Sequence, residues 1–72
     1  MRKNYTVRLK LKSLLEERGL TQKKLSELSG VRESTISDIV RGSRTLINFE
    51  HFEKLARALE ISDITELIDF EE

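Results

Sequence analysis

The sequence contains no cysteine, no proline and a single histidine, His51. Without cysteine the chain has no disulfide, no thiolate metal ligand and no thiol nucleophile, and one histidine is too few for the usual zinc site or for a histidine-based catalytic triad. The acidic residues are scattered along the chain, and no glycine-rich phosphate loop is present. We therefore expect a protein that is not an enzyme and that uses neither a metal nor a cofactor.

Long hydrophobic runs are missing as well. No apolar run exceeds three residues, and residues 1–6 lack the apolar core of a signal peptide. These absences predict a cytoplasmic protein without a membrane segment.

The chain is short, and its charges are unevenly distributed. Its 72 residues fit a single domain, 1–72, whose interior is too small for a large substrate cavity, so we expect the function on an outer surface. Residues 1–44 contain eleven Lys and Arg against five Asp and Glu, net +6, whereas residues 45–72 contain two against eight, net −6. The basic half hints at nucleic-acid contact, although a solvated surface of mixed charge would give a similar pattern.

Three glycines divide the first part of the chain into helical segments. Gly19, Gly30 and Gly42 each follow a stretch in which apolar residues recur at i, i+3 and i+4, and glycine commonly ends a helix in the left-handed conformation. Thr21 is a favourable N-cap for the second segment. The pattern predicts three helices, over residues 9–18, 22–29 and 32–41. Their inward-facing residues are predicted to be Leu11, Leu14, Leu15, Leu25, Leu28, Ile36, Ile39 and Val40.

The acidic half is predicted to hold two further helices. Asn48 is a favourable N-cap for a fourth helix, and Ser62 with Asp63 would begin a short fifth one. The inward faces are predicted to be Phe49, Phe52, Leu55, Ala56 and Leu59 in the fourth helix, and Ile64, Leu67 and Ile68 in the fifth. The predicted fold is therefore a compact, all-α, five-helix domain.

Residues 4–9 are ambiguous. Tyr5, Val7 and Leu9 alternate with polar residues at the strand period of two before the helical period begins. A short N-terminal extended arm over residues 1–8, or a single strand, is compatible with this pattern.

The segment 21–41 has the layout that major-groove reading requires. Two short helices are joined by a tight turn containing Gly30, and the second helix carries small polar residues. Ser26 is expected where the two helices cross closely, because only a small side chain would fit there. The residues expected to hold the helices at a fixed angle are Leu25, Val31, Ile36 and Ile39. The sequence thus predicts a helix-turn-helix.

Four stretches carry a resemblance to a known family: LLEERGLTQ at 14–22, GV at 30–31, STIS at 34–37 and LARAL at 55–59. With them, residues 9–68 resemble the Cro/phage-repressor (XRE-type) helix-turn-helix domains. The resemblance implies a five-helix domain of lambda-repressor type that regulates transcription, most simply as a repressor. It also implies binding to double-stranded operator DNA, usually as a symmetric dimer on a pseudo-palindromic site.

The resemblance further implies which residues touch DNA. The third helix would be the recognition helix, with the base-reading candidates Arg32, Glu33, Ser34, Ser37 and Asp38. The phosphate-contacting candidates are Thr21, Gln22, Lys23, Arg41, Ser43, Arg44 and Asn48. Arginine can donate two hydrogen bonds to guanine and a carboxylate can accept from cytosine, so Arg32 and Glu33 would supply most of the discrimination between bases.

Two features depart from the family pattern. Arg32 stands where the family usually has a serine, threonine or asparagine as an N-cap, and losing such a cap costs about 0.5–2 kcal/mol. Glu33 and Asp38 place two carboxylates on the face that should approach phosphates.

Two functions stay open at the level of the sequence. The first is a dimeric, sequence-specific DNA-binding regulator, and the second is a protein-interaction module, such as an antitoxin-like subunit whose acidic half binds a basic partner. Tyr5 and Phe70 fit no internal apolar stripe and are predicted to help form a subunit interface, through either the N-terminal arm or the fifth helix.

Overall fold

The computed structural model describes residues 5–42 and 48–71. In chain order the elements are β1 (Val7–Leu9), α1 (Leu11–Arg18), α2 (Gln22–Ser29), α3 (Glu33–Arg41), α4 (Phe49–Leu59), a 3-10 turn (Ile64–Glu66) and β2 (Ile68–Phe70). None of the described helices has the length and hydrophobicity that crossing a bilayer would require. Two predicted phosphate contacts, Ser43 and Arg44, lie outside the described residues.

The helix boundaries follow the local signals in the sequence. α1, α2 and α3 each end at a glycine with positive φ, at +63°, +79° and +69° respectively. The Thr21 hydroxyl accepts a hydrogen bond from the Lys24 amide at 3.0 Å and caps α2. The Asn48 side chain caps α4 by accepting from the amides of Glu50 and His51 at 2.9 and 3.3 Å. The N-caps predicted at Thr21 and Asn48 are therefore confirmed.

The core is a single apolar cluster to which every helix contributes. Its buried members are Leu11, Leu14, Leu15, Leu25, Val31, Ile36, Ile39, Phe52, Leu55, Leu59 and Leu67. The Arg18 guanidinium donates to the carbonyl oxygen of Leu59 and so joins the end of α1 to the end of α4. Most residues predicted to face inward therefore belong to the core, Val40 and Ala56 pack against it, and three are instead exposed.

Leu28, Phe49 and Ile64 were predicted to face inward and are instead exposed, by 52%, 78% and 61%. Phe49 is the first residue of α4 and Leu28 lies in the last turn of α2. Both continue an apolar stripe beyond the point where another helix covers it. Periodicity gives the direction of a side chain, but it does not say how far the core extends.

The predicted fifth helix is wrong. Among the described residues there are four α-helices, and the segment after α4 forms the 3-10 turn and β2. β2 pairs antiparallel with β1 in the register Val7 to Phe70, Arg8 to Asp69 and Leu9 to Ile68. A helix this short is marginal in water, whereas β-branched and aromatic residues such as Ile68 and Phe70 favour a strand. The strand alternative for residues 4–9 is thus confirmed for Val7–Leu9.

A charged pair joins the two strands. Arg8 donates from Nε and Nη2 to the two carboxylate oxygens of Asp69, each at 2.8 Å. Lys10 Nζ also donates to Asp69 Oδ2, at 3.3 Å. These hydrogen bonds, of which that from Arg8 has the largest effect, lower the pKa of Asp69 from its ordinary value of 3.8 to about 2.

This pKa predicts how the sheet responds to acid. Because the pKa of Asp69 is lower in the folded protein than in the unfolded chain, the pair stabilises the fold above about pH 4. That stabilisation is lost as the pH falls from about 4 towards 2, the folded value. Urea unfolding of the Asp69→Asn variant should therefore depend less steeply on pH in this window than unfolding of the wild type. Equal pH dependence in the two proteins would contradict the stabilising role of the Arg8–Asp69 pair.

Candidate nucleic-acid interface

The turn between α2 and α3 is fixed by its own hydrogen bonds. The Ser26 hydroxyl donates to the carbonyl oxygen of Val31 at 2.6 Å, and the Val31 amide donates to the Ser29 hydroxyl at 3.1 Å. A Cβ at Gly30 would meet no heavy atom within 4 Å, so its φ of +79°, rather than lack of space, is the reason for glycine. Ser26 was predicted to lie where the two helices cross closely. Its hydroxyl closes the turn between them.

The inward face of α3 holds the helix in one orientation. Thr35, Ile36 and Ile39 are buried, and Ile36 is fully inaccessible to solvent. Ile36 and Ile39 belong to the same core cluster as Leu25 of α2 and Val31 of the turn. Since these contacts fix the rotation of α3 about its own axis, they also decide which residues the helix presents to solvent.

The outward face of α3 brings together the predicted base-reading residues. Arg32, Glu33 and Ser34 are exposed at the beginning of the helix, and Ser37 and Asp38 are half-buried one turn later. Spacings of three and four residues place 34, 37, 38 and 41 on the same side of a helix. Ser34, Ser37 and Asp38 therefore share one polar surface with Arg41, and Arg32 and Glu33 are exposed at the beginning of the same helix.

Two members of this surface are paired with each other. Arg41 Nη2 donates to Asp38 Oδ1 at 2.7 Å, and the Arg41 side chain remains 63% exposed. The sequence predicted a phosphate contact for Arg41 and a base contact for Asp38. Their i, i+3 spacing is the signal that could have identified the pair. The pairing neutralises one of the two carboxylates expected to repel phosphates.

The beginning of α3 lacks a side-chain cap. Arg32 occupies the N-cap position and makes no capping hydrogen bond, in agreement with the departure noted in the sequence. Glu33 in the first turn offers the helix dipole a negative charge. Within the described part of the chain the Glu33 carboxylate has no hydrogen-bond or ion-pair partner. Arg32 and Glu33 are therefore both available to a ligand outside the protein.

The remaining phosphate candidates lie at two helix N-termini. Thr21, Gln22 and Lys23 are at the beginning of α2, where Gln22 is half-buried and Lys23 is exposed. Asn48 precedes α4 and uses its side-chain oxygen for the cap, which leaves the amide nitrogen as a donor. Helix N-termini present amide groups and a partial positive charge to anions. A phosphate backbone is a chemically suitable ligand for both places.

Comparison with known proteins agrees with this geometry. A model of the family described as Helix-turn-helix matches residues 11–67, from the first residue of α1 to the last residue before β2. A search of the curated proteins gave no match to the chain.

Substitutions at the N-cap positions of α2 and α3 are expected to change stability in opposite directions. Replacing Arg32 with serine should add the missing cap and raise the free energy of unfolding by about 0.5–2 kcal/mol. Thr21→Ala is the matched control, because it removes an existing cap and should lower that free energy by a similar amount. Urea unfolding measures both. A loss of stability in Arg32→Ser would mean that the arginine supports the fold in a way that its exposed position does not explain.

Proposed function

Because the chain belongs to the Cro/phage-repressor (XRE-type) helix-turn-helix family of DNA-binding regulators, we propose that it binds a specific double-stranded DNA sequence and regulates transcription, most simply as a repressor. The outward face of α3 would enter the major groove. The observation that carries this proposal is the polar surface of α3, held in one orientation by the buried face of the same helix. A regulator that occupies an operator can block the polymerase without any further activity.

In this proposal Arg32 and Glu33 discriminate between bases. Both are exposed and neither has a capping role through its side chain. A guanidinium can donate two hydrogen bonds to O6 and N7 of guanine, and a carboxylate can accept from N4 of cytosine. Ser34 and Ser37 can pair with several bases and would adjust the fit rather than define it.

Asp38 and Arg41 act together in the proposed complex. The 2.7 Å hydrogen bond between them directs the guanidinium along the helix, where it would contact a phosphate. For Asp38 to read a base, it would have to give up part of its interaction with Arg41. We therefore propose that Asp38 orients Arg41 and that base reading is its secondary role.

The phosphates would be held by the N-termini of α2 and α4. Thr21, Gln22 and Lys23 would contact one strand through the beginning of α2, and Asn48 would donate from its side-chain amide. Such contacts fix the position of a protein on DNA without reading the sequence. Ser43 and Arg44, between α3 and α4 in the chain, stay predictions from the sequence.

We also propose that the protein binds DNA as a homodimer. A single module of this size buries about 600–1,000 Å² on DNA, less than most specific complexes. Two copies on a pseudo-palindromic site would double the contact, with the two recognition helices one turn of DNA apart, about 34–36 Å.

Salt dependence tests whether the protein binds DNA through phosphates. Fluorescence anisotropy against a randomised duplex pool should give affinities that fall steeply between about 50 and 200 mM salt, because each neutralised phosphate contributes about −0.9 to the logarithmic slope. Sequencing of the bound fraction should reveal a two-fold-symmetric site. Absence of binding at both salt concentrations would favour the second function left open by the sequence, in which the acidic half binds a basic protein.

Two variants separate positioning from reading. Lys23→Ala should weaken binding to all sequences alike and reduce the salt slope by about one. Glu33→Ala should change which bases the selected site prefers at one position, with little effect on the slope. Lys12→Ala on α1 is the matched control, since it removes an equal charge from an exposed site outside α2 and α3. If the three variants behave alike, the proposed docking of α3 is wrong.

A further inference from the structure

A cluster of exposed apolar side chains lies outside α2 and α3, and only its member Phe49, which follows Asn48, borders the proposed DNA interface. Six large apolar residues of the described chain are mainly exposed, and Leu28 on α2 is one of them. The other five come from the two strands, the 3-10 turn and the beginning of α4. We call them the apolar surface: Tyr5, Val7, Phe49, Ile64 and Phe70.

The apolar surface has a projecting end made of aromatic rings. Tyr5 and Phe70 pack edge to face, with ring centroids 5.9 Å apart and an angle of 89° between the rings. They are 69% and 55% exposed, so that each ring is supported by the other and not by the core. Val7 is the cross-strand neighbour of Phe70 and extends the same end.

The other end of the apolar surface is a groove. It has a volume of about 450 Å³ and lies between α4 and the segment that follows it. The apolar side chains lining it include Phe49, Phe52, Ala56, Ile64, Leu67 and Ile68. Side chains two residues apart in a strand point to the same face, so Ile68 in the groove and Phe70 at the projecting end share one face of β2.

The size of this surface suits the centre of a protein interface. An aromatic side chain presents about 150–250 Å², so the exposed fractions of Tyr5, Phe49 and Phe70 amount to roughly 300–500 Å². Val7 and Ile64 add to this area. A standard interface takes about 800 Å² from each partner, with an apolar centre and a polar rim.

We propose that the apolar surface is the interface between two copies of this chain, with the Tyr5–Phe70 end of each copy inserted into the groove of the other. A two-fold contact requires a patch that is complementary to itself. This patch contains both a projection and a recess, so that one rotation fills both grooves. The proposal rests on the dimeric DNA binding proposed above and says where the dimer forms.

The charges favour this arrangement over the alternative in which two grooves face each other. Glu53 lines the groove and Asp63 lies between two of its lining residues, whereas the lining contains no lysine or arginine among the described residues. Two facing grooves would therefore bring like charges together. At the projecting end, Arg8 and Lys10 balance Asp69 and Glu71. Insertion of this neutral end into the acidic groove avoids the repulsion.

The position of the surface is compatible with simultaneous DNA binding. None of its five residues belongs to α2 or α3. The outward face of α3 would thus stay accessible in each copy of the dimer.

Sedimentation equilibrium of the full chain tests the proposal. The wild type should be a dimer at micromolar concentration. Phe49→Ser and Phe70→Ser should each weaken dimerisation by at least about a hundredfold. Loss of one buried aromatic contact raises the dissociation constant about tenfold or more, and in a two-fold dimer each substitution removes the contact from both copies. Leu28→Ser is the matched control, since it removes an exposed apolar side chain outside the surface and should leave the dimer unchanged. Circular dichroism establishes that all the variants are folded.

Cross-linking tests the arrangement within the dimer. Because the chain has no cysteine, a Val7→Cys protein and an Ile64→Cys protein each carry a single thiol. Insertion of the projecting end into the groove predicts that a mixture of the two forms a covalent dimer under oxidising conditions, and that neither protein does so alone. Covalent dimers within a single Ile64→Cys sample would mean that two grooves face each other and would contradict the proposal.

The outcomes separate a failure of the proposed dimer interface from a failure of the proposed DNA binding. A wild type that stays monomeric at about 100 µM, a concentration well above the dissociation constants of most specific complexes, would overturn the proposal, as would a dimer that survives both serine substitutions. The monomeric Phe70→Ser variant, whose substitution lies in β2 and away from the proposed DNA contacts, should still bind a duplex with a single half-site, with the salt slope per copy unchanged. Failure of half-site binding in the wild type and this variant would count against DNA reading by α3, whereas the sedimentation result would still decide the interface.

Discussion

The position of α3 depends on the hydrogen bond that Ser26 donates to the carbonyl oxygen of Val31. This bond of 2.6 Å closes the turn after α2, while Leu25 of α2 and Ile36 of α3 are both fully buried in the same core cluster. Because the angle between the two helices is set by contacts inside the protein, the polar face of α3 is in place before any ligand arrives. Preorganisation of this kind reduces the conformational entropy that binding would otherwise cost.

The division of charge along the chain corresponds to a division of structure. The basic half contains the helix pair with its polar face, and the acidic half contains α4, the groove and β2. β1 is the exception, since it comes from the basic half and pairs with β2 through Arg8 and Asp69. The pairing neutralises charge where the two halves meet. It also explains why a net charge of zero says little about the surface of this protein.

Local signals in the sequence were sufficient for most of the fold. Glycines and caps gave the bounds of the helices, and the positions of the base-reading candidates on α3 followed from helical spacing. The sequence did not give the exposure of Phe49, because that depends on where neighbouring elements end. Nor did it give β2, since Ile64, Leu67 and Ile68 have helical spacing and the strand partner is about sixty residues away. The i, i+3 spacing of Asp38 and Arg41 could have predicted their pairing. The groove could not be predicted, because it lies between α4 and the segment that follows it.

The pairing of β1 with β2 has a consequence for biosynthesis. Arg8 and Asp69 are 61 residues apart, so β1 leaves the ribosome well before its partner strand has been synthesised. The helices have contacts of shorter range and can form earlier. The face that the two strands share, with Val7 opposite Phe70, is therefore complete only after β2 has been synthesised.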